Sequence, residues 1–167
     1  MLSLKINDIK SFMNQLLLTD TFDHLETAEV IITTFNTFSI NGKIKKEFFD
    51  NPRDVSSEEE PSEYSLWKEL RPYCYQVIRG KRTPVSFKII LQLSSKEKQA
   101  LLQKGDLSAD STESGGFYLN IQYKNQTLSC TTGIGFQTFL LNSPLKELWD
   151  LTILDFFRSR KIPFEQI

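Results

Sequence analysis

The chain contains a single histidine, His24, which stands beside Asp23 and close to Asp20. An imidazole among carboxylates has the parts of a general base, but such a base also needs a nucleophile and a pocket. The sequence supplies neither, and His24 reads as a solvated loop histidine. Cys74 and Cys130 sit in apolar surroundings without the close spacing of a metal knuckle or a redox pair, so they read as buried free thiols. One histidine and two distant cysteines would leave a zinc ion to be held mostly by carboxylates, which suits it poorly; no metal is expected. Glu58, Glu59 and Glu60 are consecutive in a loop-like segment, and nothing holds two of them at a fixed separation for acid/base work. Asp106, Asp110 and Glu113 offer oxygen at calcium-like spacing, but the stretch lacks the glycine and the closing glutamate of an EF-hand loop. Gly133-Ile134-Gly135 lacks the third glycine of a dinucleotide fingerprint and the Lys-Ser/Thr of a phosphate loop. No Gly-x-Ser-x-Gly elbow occurs. These residues point to no catalytic constellation, no cofactor and a non-enzymatic protein.

The cations are more informative. Formal net charge is only -1, yet between Leu66 and Gly105 nine bases face only Glu69 and Glu97. Two apolar helical runs each end in a basic cluster, Arg79-Gly80-Lys81-Arg82 and Arg158-Ser159-Arg160-Lys161. Cations at a helix C-terminus complement its dipole and keep a surface soluble. A repeated pair of such clusters can also hold phosphates along a line. The acids gather elsewhere, at Asp50, Asp54, Glu58 to Glu60 and Glu63, then at Asp106, Asp110 and Glu113.

The elements that must position these residues follow from hydrophobic period. Leu2, Leu4 and Ile6 alternate as in a half-buried strand. Asn7 or Asp8 can cap a helix whose apolar face is Ile9, Phe12, Met13, Leu16 and Leu17. Ala28 to Ile40 is dense in β-branched and aromatic residues and ends at Asn41-Gly42, which predicts a type I′ hairpin turn with a return strand from Lys43 to Phe49. Asn51 to Glu63 reads as an exposed loop. Leu66, Trp67, Leu70, Tyr73, Cys74, Val77 and Ile78 mark one helical face, with Pro72 expected to kink the helix or to set its start. A strand from Val85 to Leu93 follows, then a short helix capped by Ser94 with Glu97 and closed at Gly105. Phe117, Leu119, Ile121 and Tyr123 alternate in a strand that turns at Lys124-Asn125-Gln126 and returns through about Leu141, with a bulge or bend expected at Gly133 and Gly135. The last helix carries Leu145, Leu148, Trp149, Thr152, Ile153, Phe156 and Phe157 on one face.

The order strand, helix, hairpin, helix thus occurs twice. Lys68-Glu69-Leu70 is echoed by Lys146-Glu147-Leu148, and Leu2-Ser3-Leu4-Lys5-Ile6 by Val85-Ser86-Phe87-Lys88-Ile89. The expected fold is α+β: two strand-helix-hairpin-helix repeats, residues 1–84 and 85–167, packed as one globular unit with pseudo-twofold symmetry and an antiparallel sheet covered by helices. In outline that architecture is similar to the DNA sliding clamps, whose helices face DNA, and to the TATA-binding saddle, whose sheet does. So short a chain could form a clamp-like ring only by self-association.

Leu2-Ser3-Leu4-Lys5-Ile6-Asn7-Asp8-Ile9-Lys10 and Ile32-Thr33-Thr34-Phe35-Asn36-Thr37-Phe38-Ser39-Ile40-Asn41-Gly42 resemble an uncharacterised family from Firmicutes, mostly Clostridia, catalogued as a domain of unknown function. The resemblance covers nearly the whole chain. It implies a bacterial, cytoplasmic protein and brings no activity, cofactor or catalytic residue with it. The first residues have no basic segment followed by an apolar one, and no apolar run approaches the roughly 18 residues of a membrane span; neither a membrane nor a secreted location is expected.

The functional expectation is weak, salt-sensitive association with DNA through a helical face bearing Lys68, Arg71, Arg79, Lys81, Arg82, Arg158, Arg160 and Lys161. The alternative is a protein-interaction module that uses an exposed sheet edge or the acidic loops.

Overall fold

Alternation along the strands decides the architecture. In the computed structural model, which describes residues 1–49, 62–106, 114–136 and 143–167, seven strands form one antiparallel sheet. They are β1 (Ser3–Ile6), β2 (Glu26–Thr33), β3 (Thr37–Asn41), β4 (Ser86–Gln92), β5 (Ser114–Lys124), β6 (Thr127–Phe136) and β7 (Phe164–Gln166), in the spatial order β3-β2-β4-β5-β6-β1-β7. One row of cross-strand neighbours reads Ile40, Val30, Ile89, Ile121, Cys130, Leu4 and Gln166. The adjacent row, one residue along each strand, reads Ser39, Ile31, Lys88, Gln122, Ser129, Lys5 and Glu165. Because successive side chains take opposite faces, the first row lies against the core and the second faces away from it. A one-residue slip in any strand would exchange the two.

Four helices cover the apolar face: α1 (Ile9–Leu18), α2 (Trp67–Ile78), α3 (Ser95–Lys104) and α4 (Ser143–Ser159). Their buried residues join those of the inward rows in one core. Both tryptophans are buried in it, and each indole N–H finds a backbone acceptor: Trp67 Nε1 donates to the Leu16 carbonyl at 2.7 Å and Trp149 Nε1 to the Tyr118 carbonyl at 2.9 Å. That pairing is what lets a polar-edged ring sit in an apolar interior. Among the described residues, no helix is long and apolar enough to cross a membrane.

Several elements stand where the residue pattern puts them. Asp8 caps α1, its carboxylate accepting from the Ser11 N–H at 3.0 Å. Ser94 caps α3, its hydroxyl accepting from the Glu97 N–H at 3.3 Å, and the helix closes at Gly105. Phe117, Leu119, Ile121 and Tyr123 face inward from β5, and the turn into β6 places Asn125 and Gln126 at φ 51° and 60°, the paired positive values of a type I′ turn. The register irregularity lies in β5, between Ser114 and Phe117, and not in the return leg where a bulge or bend at Gly133 and Gly135 was expected; Gly115 there packs against the backbone of Gly135.

Other expectations are corrected. The chain reverses at Thr34–Asn36, not at Asn41-Gly42: the Thr34 N–H donates to the Asn36 carbonyl at 2.9 Å, and β3 returns with Ile40 beside Val30 and Phe38 beside Ile32. This register keeps all four apolar side chains on the inward face. Gly42 answers a different demand, since a Cβ there would lie 1.7 Å from the Thr27 carbonyl oxygen. In place of a return strand, Lys43 makes a single bridge with Tyr64, and Lys46–Phe48 is a 3₁₀ turn. The helix α2 begins before Pro72 and runs through it. Pro72 offers no N–H to the Lys68 carbonyl, but the turn before it is held by Trp67 and Arg71. Tyr73, assigned to the buried face, is 66% exposed. The strand β7 was not expected. The return of β6 beyond Phe136 and the acidic stretches around 50–61 and 107–113 fall outside the described residues.

The order strand, helix, hairpin, helix does occur twice, as β1-α1-β2-β3-α2 and β4-α3-β5-β6-α4. Strand pairing does not repeat with it. β4 pairs with β5 of its own unit and β2 of the other, whereas β1 pairs with β6 and β7 and not with β2. The sheet is open, with β3 and β7 at its edges.

Candidate functional site

The helix α1 is the axis that the two basic segments flank. Phe12 and Leu16 turn into the core, while Met13 and Leu17 face α2. The N-terminal turns of α2 are fastened to the C-terminal end of α1 by Trp67 and by Arg71. The Arg71 guanidinium grips Asp23 with both arms, Nε to Oδ1 at 2.7 Å and Nη2 to Oδ2 at 3.0 Å, and Nη1 donates to the Leu17 carbonyl at 3.2 Å. Hydrogen bonding to Asp23 raises the Arg71 pKa above its ordinary value. The two helices therefore run antiparallel, and the C-terminal end of α2 arrives beside the N-terminal half of α1.

There α2 stops. The Arg79 N–H closes the last turn on the Tyr75 carbonyl at 2.8 Å, and Gly80 follows at φ +141°, a backbone conformation that side chains disfavour. The segment from Arg79 to Pro84 then crosses to β4 and forms one lip of a half-open groove of about 430 Å³ between α1 and α2. Its walls include Ile9, Met13 and Leu17 on one side and Tyr75 and Ile78 on the other. Its floor is Phe87 and Tyr123, stacked at 5.3 Å with 16° between ring planes. Lys10, Arg79 and Arg82 line it as well, and all three are exposed with no ion pair among the described residues.

The second basic loop flanks the opposite side of α1. After α4 the Ile162 N–H reaches back to the Phe157 carbonyl at 2.9 Å and the Lys161 N–H to the Arg158 carbonyl at 3.0 Å, the two bonds of a Schellman cap. Lys161 occupies the left-handed position at φ 55°, and buried Ile162 supplies the apolar contact that accompanies this cap. The loop is tied to α1 by Gln15 Nε2, which donates to the Arg160 carbonyl at 3.3 Å, and by the Asn7 N–H, which donates to the Pro163 carbonyl at 3.1 Å. Arg160 lies over the Phe156 ring at 5.9 Å, and exposed His24 meets the same ring edge-on at 5.5 Å. Arg158 approaches Asp155 at 4.0 Å, both well exposed.

Of the eight cations singled out by sequence, six stand in these two loops or the helix turn before them: Arg79, Lys81, Arg82, Arg158, Arg160 and Lys161, all exposed. Arg71 is engaged internally. Lys68 is exposed at the opposite end of α2, roughly 16 Å along the helix from Arg79 at 1.5 Å per residue. Lys10 was missed, because its neighbours in the groove, Arg79 and Arg82, come from a segment about 70 positions downstream. The only sequence signal was its place, with Asn14, on the polar side of the α1 stripe.

The cysteines behave as expected of core residues. Burial raises the Cys74 pKa to about 12 and that of Cys130 as well. No group of three or more potential metal ligands comes together among the described residues. The chain matches no curated protein and no solved structure. One family model does match, over residues 15–165, and the chain accordingly belongs to the family of unknown function DUF5721.

Proposed function

We propose that this is a non-enzymatic binding protein that associates with DNA, weakly and with strong salt dependence, through the end of the helical layer where two basic loops flank α1. The observation that carries this reading is the approach of the two clusters. They are far apart in sequence, yet each is anchored to α1, one through the groove lip and the other through Gln15 and Asn7. Six exposed cations from these clusters, together with Lys10 on α1 itself, therefore stand on the two flanks of one helix. Such an array contacts phosphates rather than base edges and specifies no sequence. It is tested by titrating duplex DNA at two salt concentrations. The expected result is an affinity that falls with salt, with each cation replaced by alanine reducing the slope by about one. Absence of binding at low salt, or binding indifferent to salt, overturns it.

A second reading is favoured by the edge strand β3. It lies at one end of the sheet order, and Phe35 in the turn leading into it is 88% exposed. A partner protein could add a strand there and seat this ring in a pocket. It is tested by co-purification: one specific partner, lost on Phe35→Asp, supports the reading, and recovery of the protein alone counts against it.

A further inference from the structure

The groove between α1 and α2 combines an apolar interior with a cationic rim, and that combination selects a chemical class. Its floor reaches Phe87 and Tyr123, only 4% and 8% exposed, so an occupant lies directly on the core. The walls offer few polar groups, which disfavours a sugar or a nucleobase, whose donors and acceptors would be left unpaired. At about 430 Å³ the space falls within the range of small-molecule sites, about 300 to 1,000 Å³. Lys10, Arg79 and Arg82 have no acidic partner among the described residues, so an anion brought to the rim gains their attraction without displacing an existing pair. Arginine is also shaped to grip a carboxylate with two parallel hydrogen bonds.

We infer that this groove binds a single-chain amphiphilic acid, its alkyl tail lying between α1 and α2 on the Phe87–Tyr123 floor and its carboxylate held by Arg79, Arg82 and Lys10. The charge complementarity of the rim argues for an acid over an alcohol or an amine. The floored shape and the volume of about 430 Å³ argue for one alkyl chain over a partner helix. This site goes beyond the association with DNA and does not depend on it, although the two share Lys10, Arg79 and Arg82.

The test is calorimetric titration of the full chain with dodecanoate, held below its micelle concentration, beside dodecanol and acetate as probes of tail without charge and charge without tail. Saturable one-to-one binding of dodecanoate is expected, with dodecanol weaker by about tenfold or more, the effect of losing one charge-assisted contact, and acetate weaker still because it forgoes burial of the alkyl tail. Arg79→Glu combined with Arg82→Glu, both exposed, should weaken dodecanoate by at least about tenfold without changing the thermal melt. Met13→Trp fills the groove while keeping every cation, so it should abolish dodecanoate binding and leave salt-dependent DNA binding intact. Non-saturable uptake, equal binding of dodecanol, or indifference to both variants overturns the inference. Loss of DNA binding alone does not bear on it.

Discussion

At the scale of single residues, Arg71 shows how a cation that looks available in sequence can be committed to the interior. Its side chain is 23% exposed and that of Asp23 16%, and the guanidinium also satisfies the last turn of α1. Arg71→Ala is expected to lower stability by about 2 kcal/mol, between the value of an exposed ion pair and that of a buried one. A double-mutant cycle with Asp23→Asn, read by urea denaturation, should recover a coupling of about 1 kcal/mol or more. Nothing in the spacing of Lys68, Arg71 and Arg79 distinguishes the one that is paired, because Asp23 lies in another segment. The thiols were readable, since their apolar surroundings announce burial. Folding raises their pKa values, so each keeps its proton in the folded chain at pH values where the unfolded chain has lost it. Their contribution to stability is complete below the unfolded thiol value of about 8.5 and is lost progressively as pH rises toward the folded values, about 12 for Cys74. Urea midpoints should therefore fall above pH 8.5, and fall less in the Cys74→Ala, Cys130→Ala double variant. Iodoacetamide should modify neither thiol until the chain is unfolded.

At the scale of elements, the β5–β6 hairpin was legible and the β2–β3 hairpin was not, for a definite reason. On β5 the inward residues alternate without a break, and its turn follows the last of them. The run from Ala28 to Ile40 has no comparable interruption, so the Asn41-Gly42 dipeptide drew the turn to itself. Gly42 instead lets the chain pass against the Thr27 carbonyl. Gly42→Ala is expected to cost about 3 kcal/mol or more, since backbone must move to admit a methyl group; a thermal melt measures it. The cap of α4 separates two roles of one residue. Lys161→Gly removes a side chain from a left-handed position and should raise stability by about 1 kcal/mol in chemical denaturation. The same change should weaken DNA and lower the salt slope by about one. A purely structural loop would show the first effect without the second. The three-residue strand β7 carried no periodic signal, and the groove was illegible because α1, α2 and the floor strands meet only in three dimensions.

At the scale of the whole molecule, the repeated order of elements was visible in the sequence, but the way the strands meet was not. Pairing partners depend on which hydrophobic edges remain uncovered after the hairpins form, and no local pattern records that. The asymmetry bears on how the chain assembles. The pairs β2–β3 and β5–β6 close over short turns, and β4 can join them from nearby. β1 is different: Ser3 lies beside Thr131 and Lys5 beside Glu165, so this strand has no neighbour until β6 and β7, far downstream, exist. Such long-range closure is slow, and meanwhile a strand with bare amides and carbonyls is exposed to pairing with other chains. Pulse-labelled hydrogen exchange during refolding should find the amides of Leu4 and Ile6 shielded after those of Ile89 and Ile121. During synthesis, β1 would wait on the ribosome for β6 and β7, and a holding chaperone would find its target in that unpaired strand.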